Sequence, residues 1–189
     1  MKHLMAFLLF TLLTTVSCTK NDLKEVPSID PLNFKTSIVV DNSPREVFNA
    51  INNVRGWWSE EIDGDTDKLG AEFDYHYENV HRCRMEIVEL VPEQRVVWLV
   101  KENKFNFTKD PTEWTGNRIV FDIKHIGNKT QLEFCQVGLV PEYECYEICE
   151  KAWTKYVQKS LVSLITTGKG QPNGNGKAQT EDEKRLSNH

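Results

Sequence analysis

The chain has 189 residues, 39% apolar and 10% aromatic, enough to build an ordinary core in one domain with tails. Its 23 basic and 28 acidic residues leave a net charge of -5, and the basic residues are scattered rather than gathered in a stripe. Charge therefore excludes electrostatic recruitment of nucleic acid, and composition excludes a membrane channel or a wholly disordered protein.

Lys2 gives a positive start, Leu4 to Val16 is largely apolar, and Ser17 and Cys18 close the run. The run is too short to span about 30 Å of hydrocarbon as a permanent helix, so residues 1–17 are expected to be a removable signal peptide. Ser17 before Cys18 resembles a bacterial lipoprotein processing site, although Thr15 stands where leucine is usual. The expectation is a cell-envelope lipoprotein anchored to the membrane through a lipidated Cys18, against an ordinary secreted or periplasmic protein with a chance cysteine. Removing residues 1–17 takes away one basic residue and no acid, so the acyl chains rather than surface charge would hold it. Residues 18–33, with Pro27 and Pro31 and no periodicity, read as a spacer.

Residues 34–167 read as the folded domain. Phe34 to Val40 ends β-branched and predicts a first strand. Asn42 or Ser43 caps a helix with Pro44 and Glu46 in its first turn and Val47, Phe48, Ala50 and Ile51 turned inward. Gly56 breaks it before Trp57 and Trp58, and two adjacent indoles place at least one of them at a rim or mouth. Gly64 to Gly70 is a polar turn. In Glu72 to Tyr77 the alternation sets Phe73, Tyr75 and Tyr77 on one face and Glu72, Asp74 and His76 on the solvated other. Residues 82–91, 95–101, 117–126 and 130–137 repeat the strand pattern, joined by turns at Pro92-Glu93-Gln94 and Gly127-Asn128-Lys129 that imply antiparallel hairpins. Phe105 to Gly116 is an irregular loop carrying Phe107 and Trp114.

From about Glu142 to Thr166 the period becomes helical, with Tyr146, Cys149, Trp153, Val157, Ser160 and Leu164 on one side. Leu164 is expected in the core. The glycine-rich and charged stretch 168–189 reads as a disordered tail.

These elements resemble the SRPBCC or START-like superfamily and its helix-grip fold, in the branch related to activators of the ninety-kilodalton heat-shock chaperone's ATPase. The resemblance rests on Pro44-x-x-Val47-Phe48-x-Ala50, Trp57-Trp58, Gly70-x-x-Phe73 and Trp153-x-x-x-Val157-x-x-Ser160. Ser160 stands in place of a larger apolar residue and Ala152 in place of the usual glycine. It implies an α+β architecture: a curved antiparallel sheet of about six strands around a long C-terminal helix, with a cavity between them. Superfamily members carry lipids, sterols or polyketide-like compounds, and some are enzymes; the motifs mark the fold rather than an activity.

Chemical motifs are sparse. There is no Gly-x-Ser-x-Gly elbow and no phosphate-cradling loop, and no motif calls for a cofactor. Cys145-x-x-x-Cys149 with His76, His81 or His125 matches no compact zinc spacing, so no metal site is expected. Cys83, Cys135, Cys145 and Cys149 are expected to remain thiols. Glu142, Glu72, Asp74 and His81 are acid–base candidates only if they reach the pocket, and alternation places most of them outside.

The ligand-binding candidates are Trp57, Trp58, Phe73, Tyr75, Met85, Trp98, Phe121, Tyr146 and Trp153, which read equally well as packed core or cavity lining. The function expected is an envelope-tethered, noncatalytic binding protein for a small hydrophobic or amphipathic molecule. The alternatives are a protein-interaction module like the chaperone activators, or a cyclase- or hydrolase-like enzyme, for which no committed nucleophile or acid–base pair is present.

Overall fold

A computed structural model describes residues 32–188. The signal-peptide, lipidation and most of the spacer expectations, at residues 1–31, lie outside the described residues. Among the described residues, seven strands form one antiparallel sheet: β1 (Phe34–Val40), β2 (Ile62–Gly64), β3 (Glu72–Tyr77), β4 (His81–Val91), β5 (Arg95–Phe105), β6 (Arg118–Ile126) and β7 (Lys129–Val137), in the order β1-β7-β6-β5-β4-β3-β2. The seventh strand, absent from the sequence reading, is the three-residue β2, which is too short to show alternation.

Register carries the alternating apolar residues onto one face. Phe73 opposes Met85, Tyr75 opposes Cys83 and Tyr77 opposes His81, while Trp98 opposes both Ile87 and Ile119, and Phe121 opposes Phe134. Register shifts in the β4–β5 pair between Arg84 and Met85 and between Ile87 and Glu89 mark bulges, which bend strands and deepen the twist. They lie in the middle of the sheet and turn its aromatic face into a concave one.

The helix α1 (Pro44–Asn52) starts as the sequence predicts. Ser43 Oγ accepts from the Glu46 amide, and the Glu46 carboxylate accepts from the Ser43 amide at 2.7 Å, a capping box with proline in the first turn. A four-residue helix, α2 (Val54–Trp57), follows at once. The reversal it makes sends both Trp57 and Trp58 inward, at 0% and 3% exposure, so neither indole sits at an open rim.

The closing helix is one continuous rod of three parts: α3 (Tyr146–Lys155), a π-helical turn (Tyr156–Leu161) and α4 (Val162–Thr167). The wider turn shifts the phase of the buried stripe. Tyr156, Val157, Ser160, Leu161 and Ile165 are buried whereas Leu164 is only half-buried, which corrects the expectation that Leu164 holds the core. Gly168, at φ 77°, ends the rod in the left-handed conformation, its amide donating to the Leu164 carbonyl at 2.9 Å.

Beyond Gly168 the chain departs from the disorder expected of residues 168–189. Among the described residues, 168–179 runs back along the end of the sheet: the Asn173 amide donates to the Trp58 carbonyl at 2.9 Å and the Glu60 amide to the Asn173 carbonyl at 2.8 Å. A last helix, α5 (Glu181–Ser187), carries a second capping box, Thr180 with Glu183. Composition pointed to disorder because glycine and charge dominate, but the order here comes from backbone pairing and a few polar anchors. No described helix is long and apolar enough to cross a membrane.

Candidate ligand-binding site

Beneath the closing helix the concave face is largely filled. Trp57 packs against Trp98 (centroids 6.4 Å), Trp153 (6.5 Å) and Phe121 (6.1 Å), and Phe73 meets Trp98 edge-on at 5.3 Å. Trp57, Phe73, Met85, Trp98 and Phe121, five of the predicted lining residues, therefore belong to the packed core. Trp57 Nε1 donates to the Ile51 carbonyl at 3.1 Å. Tyr146, half-exposed at the start of α3, stands apart from the space described next.

A space of about 50 Å³ stays open at one end of the grip. Three predicted residues, Trp58, Tyr75 and Trp153, form its wall. Trp58 stacks on Tyr75 at 4.3 Å, and Trp153 lies 5.1 Å from Trp58 and 5.8 Å from Trp114. The structure adds Tyr77, His81, Phe105, Trp114, Cys149 and Tyr156, with Thr180, Glu183 and Leu186 from the C-terminal segment as its cover. Four of these carried legible signals. His81 continues the alternation of Cys83, Met85 and Ile87, Trp114 with Phe107 makes an irregular loop unusually aromatic, and Thr180-x-x-Glu183 is a capping-box spacing.

The wall is apolar with a few polar groups. Trp153 Nε1 donates to Gln136 Oε1 at 2.6 Å, fixing that indole to β7. His81 is buried and its Nε2 donates to Asn103 Oδ1, whose amide nitrogen in turn donates to the Pro111 carbonyl at 2.9 Å. Burial lowers the imidazole from 6.5 to about 4, with the Asn103 bond opposing, so His81 is neutral at physiological pH. Burial also raises the Tyr75 and Tyr156 phenols above their ordinary value, so both remain donors. Trp114 Nε1 is buried without a hydrogen-bond partner.

At the covered mouth, Tyr156 Oη donates to Glu183 Oε1 at 2.5 Å, and Asn173 Nδ2 lies 3.1 Å from both Glu183 Oε1 and Tyr75 Oη. The Cys83, Cys135, Cys145 and Cys149 thiols are all free and buried, and burial raises Cys149 well above the usual thiol range. Cys149, in the wall, is therefore an unreactive thiol as it stands.

No group of three or more His, Cys, Asp or Glu among the described residues is placed to hold a metal ion. Neither larger concavity belongs to the grip. A trough of about 630 Å³ on the outer sheet face is lined by Asp74, Arg84, Lys101 and Glu102, where Arg84 pairs with Asp74 at 2.9 Å. The other, about 550 Å³, runs beside α1 along Asn49, Asn53 and Asp65. Both are polar and open to water. The acid–base candidates Glu72, Asp74 and Glu142 face away from the enclosed space, and His81 alone reaches it.

A family model described as activator of Hsp90 ATPase homolog 1-like protein matches residues 41–166. Comparison with curated proteins returned no match. Solved structures of similar fold include the Aha1 dimer from Colwellia psychrerythraea, at 20% identity and TM-score 0.59, with 73% of this chain and 98% of that one covered. CalU16 from Micromonospora echinospora matches at 14% identity and TM-score 0.53, covering 82% and 81%. Mll3558 from Rhizobium loti matches at 16% and 0.54, covering 70% and 95%. At these identities the likeness is one of fold, the helix-grip arrangement of sheet and closing helix.

Proposed function

Since the chain belongs to the family of activator of Hsp90 ATPase homolog 1-like proteins, whose fold suits a ligand-binding or interaction module, we propose that it is a binding protein for a small hydrophobic or amphipathic molecule. The observation that carries this reading is the aromatic wall of Trp58, Tyr75, Trp114 and Trp153, left unfilled at one end of an otherwise solid interior. Ligand sites typically hold about 300–1,000 Å³, whereas this space is about 50 Å³. Binding therefore requires the covering residues Thr180 to Leu186 to move aside. The chemistry is recognition rather than turnover: His81 is neutral and already bonded to Asn103, and no nucleophile with a partnered base faces the space.

Titration with lipids, sterols and aromatic compounds tests this, read by tryptophan fluorescence and by ligand-linked shifts in melting temperature. Three indoles in the wall make the fluorescence sensitive to occupancy. Absence of both responses across the panel would refute the reading.

How completely Trp57, Trp98, Phe73 and Phe121 fill the interior favours a second reading, a protein-interaction module acting through its surface. A stoichiometric protein partner bound by a chain that ignores every small molecule would select it. For the N-terminus we infer acyl anchoring in a bacterial envelope through Cys18, on the strength of the apolar run and Ser17-Cys18. Radiolabelled palmitate incorporated by the chain and lost in Cys18→Ala tests that inference.

A further inference from the structure

The C-terminal segment divides into an anchored part and a loosely held one. Residues 168–179 are built into the body: Ser160 Oγ accepts from the Gln171 amide at 2.6 Å while donating to the Trp57 carbonyl at 2.6 Å, and Asn173 is fully buried. The helix α5 buries none of its seven residues, and a helix of that length has little stability of its own. Its hold on the body is the half-buried Leu186 over the aromatic wall, the Glu183 contacts, and Ser187 Oγ 3.3 Å from Tyr77 Oη.

Glu183 does two separate things. Its Oε2 accepts from the Gln179 and Thr180 amides and closes the capping box, which any α5 in water would need. Its Oε1 turns the other way, into the mouth of the space, and accepts from Tyr156 Oη and Asn173 Nδ2. Both donors belong to the body, not to α5. A carboxylate oxygen is thus held by neutral donors at the entrance of an apolar chamber, with an aliphatic side chain, Leu186, lying beside it on the aromatic wall.

We propose that the ligand is an amphipathic monocarboxylate, and that α5 is its built-in stand-in: the ligand's carboxylate replaces Glu183 Oε1 at Tyr156 and Asn173, and its apolar part replaces Leu186. This rests on the binding-protein reading above. The donor set suits an anion even though no lysine or arginine lines the space, because the chain already holds one there. The phenols of Tyr75 and Tyr156 stay protonated over the physiological range, and the unpartnered Trp114 Nε1 offers one more donor deeper in. Displacing a helix without buried residues costs little, so a ligand with a longer apolar chain than leucine gains contact that α5 does not supply.

The test measures binding of decanoate, decanol and decylamine to the full chain, to Leu186→Asp and to Leu186→Asp with Tyr156→Phe, by tryptophan fluorescence, with far-ultraviolet circular dichroism as the folding control. Expected is decanoate affinity about tenfold higher in Leu186→Asp than in the unaltered chain, because the competing occupant is weakened. Adding Tyr156→Phe should cost decanoate about tenfold, the loss of one hydrogen bond to a charged group, and leave decanol unchanged. Should Leu186→Asp fail to fold, Leu186→Ala carries the same comparison. Decanol binding as well as decanoate, with equal response to Tyr156→Phe, would overturn the carboxylate assignment while leaving the binding site standing. Tighter binding of decylamine, abolished by Glu183→Gln, would overturn it too, by making Glu183 a partner rather than a stand-in. No binding of decanoate to any folded variant would overturn the monocarboxylate assignment, while a response to the sterols or aromatic compounds of the wider panel would leave the binding-protein reading standing.

Discussion

His81 should make the fold acid-sensitive in a window where surface carboxylates hardly act. Its imidazole is buried against Phe105, Trp114 and Tyr75, at centroid distances of 4.3, 4.9 and 5.1 Å. Burial lowers its folded-state value from 6.5 to about 4. Between those two values the unfolded chain binds a proton that the folded chain refuses. The stability contributed by the neutral ring is therefore fully present above pH 6.5 and is lost progressively as pH falls towards 4. The whole gap corresponds to about 3 kcal/mol, and at pH 5 about 2 kcal/mol of it should already be gone. The perturbation is His81→Gln, which keeps a donor for Asn103 Oδ1 and does not titrate. The assay is urea denaturation of both proteins at pH 7.5 and pH 5, comparing the change with pH rather than the absolute stabilities, so that carboxylates common to both cancel. Expected is a fall about 2 kcal/mol larger in the unaltered chain. Equal falls in the two proteins would show that His81 is solvated or charged in the folded state, and would refute its placement in the wall.

Other substitutions test the elements that shape the site. Ser160→Ala leaves the Trp57 carbonyl and the Gln171 amide without their shared hydroxyl, at a cost of about 1–3 kcal/mol, and should speed hydrogen exchange at Gln171 and Asn173 more than in the sheet. Ile165→Lys should destabilise by more than Leu164→Lys, by about 1–2 kcal/mol in urea denaturation, because only Ile165 is buried after the π turn. Gly138→Ala meets a steric wall: at φ 104° its Cβ would stand 2.0 Å from Asn117 Oδ1, so a loss of about 2 kcal/mol or more in melting experiments is expected. A Gly138→Ala chain with unchanged melting temperature would mean that the β7 exit is looser than described.

The residues that announced the fold did so through regular spacing. Phe73, Tyr75 and Tyr77 alternate and do share the concave face, and the cap expected at Asn42 or Ser43, which is Ser43 with Glu46, places the start of α1 to within a residue. Spacing failed where the backbone leaves ideal periods. The π turn moves the buried position from Leu164 to Ile165, and a 100° projection cannot anticipate it. Trp57 and Trp58 face inward together because α2 reverses immediately, a property of chain path rather than of either residue. The site was less legible than the fold, since an aromatic in a core and an aromatic in a wall have the same period. What separates Trp98 from Trp153 as neighbours of the open space is how neighbouring elements fill the volume, which local sequence does not encode. The cover escaped notice because composition weighs residues by type, whereas Asn173 and Glu183 act through particular partners: Asn173 with Trp58 and Tyr75, Glu183 with Tyr156.

Cys149 lies in the wall behind α5, buried to 4% exposure and held as a thiol. This gives the molecule a native clock for motion of its own C-terminus. An alkylating reagent reaches that sulfur far more readily when the helix has lifted, so the labelling rate, resolved peptide by peptide, tracks openings in an unmutated chain. Any compound that wedges the helix outward without filling the chamber would quicken the count, whereas one that seats itself against the indoles would stop it.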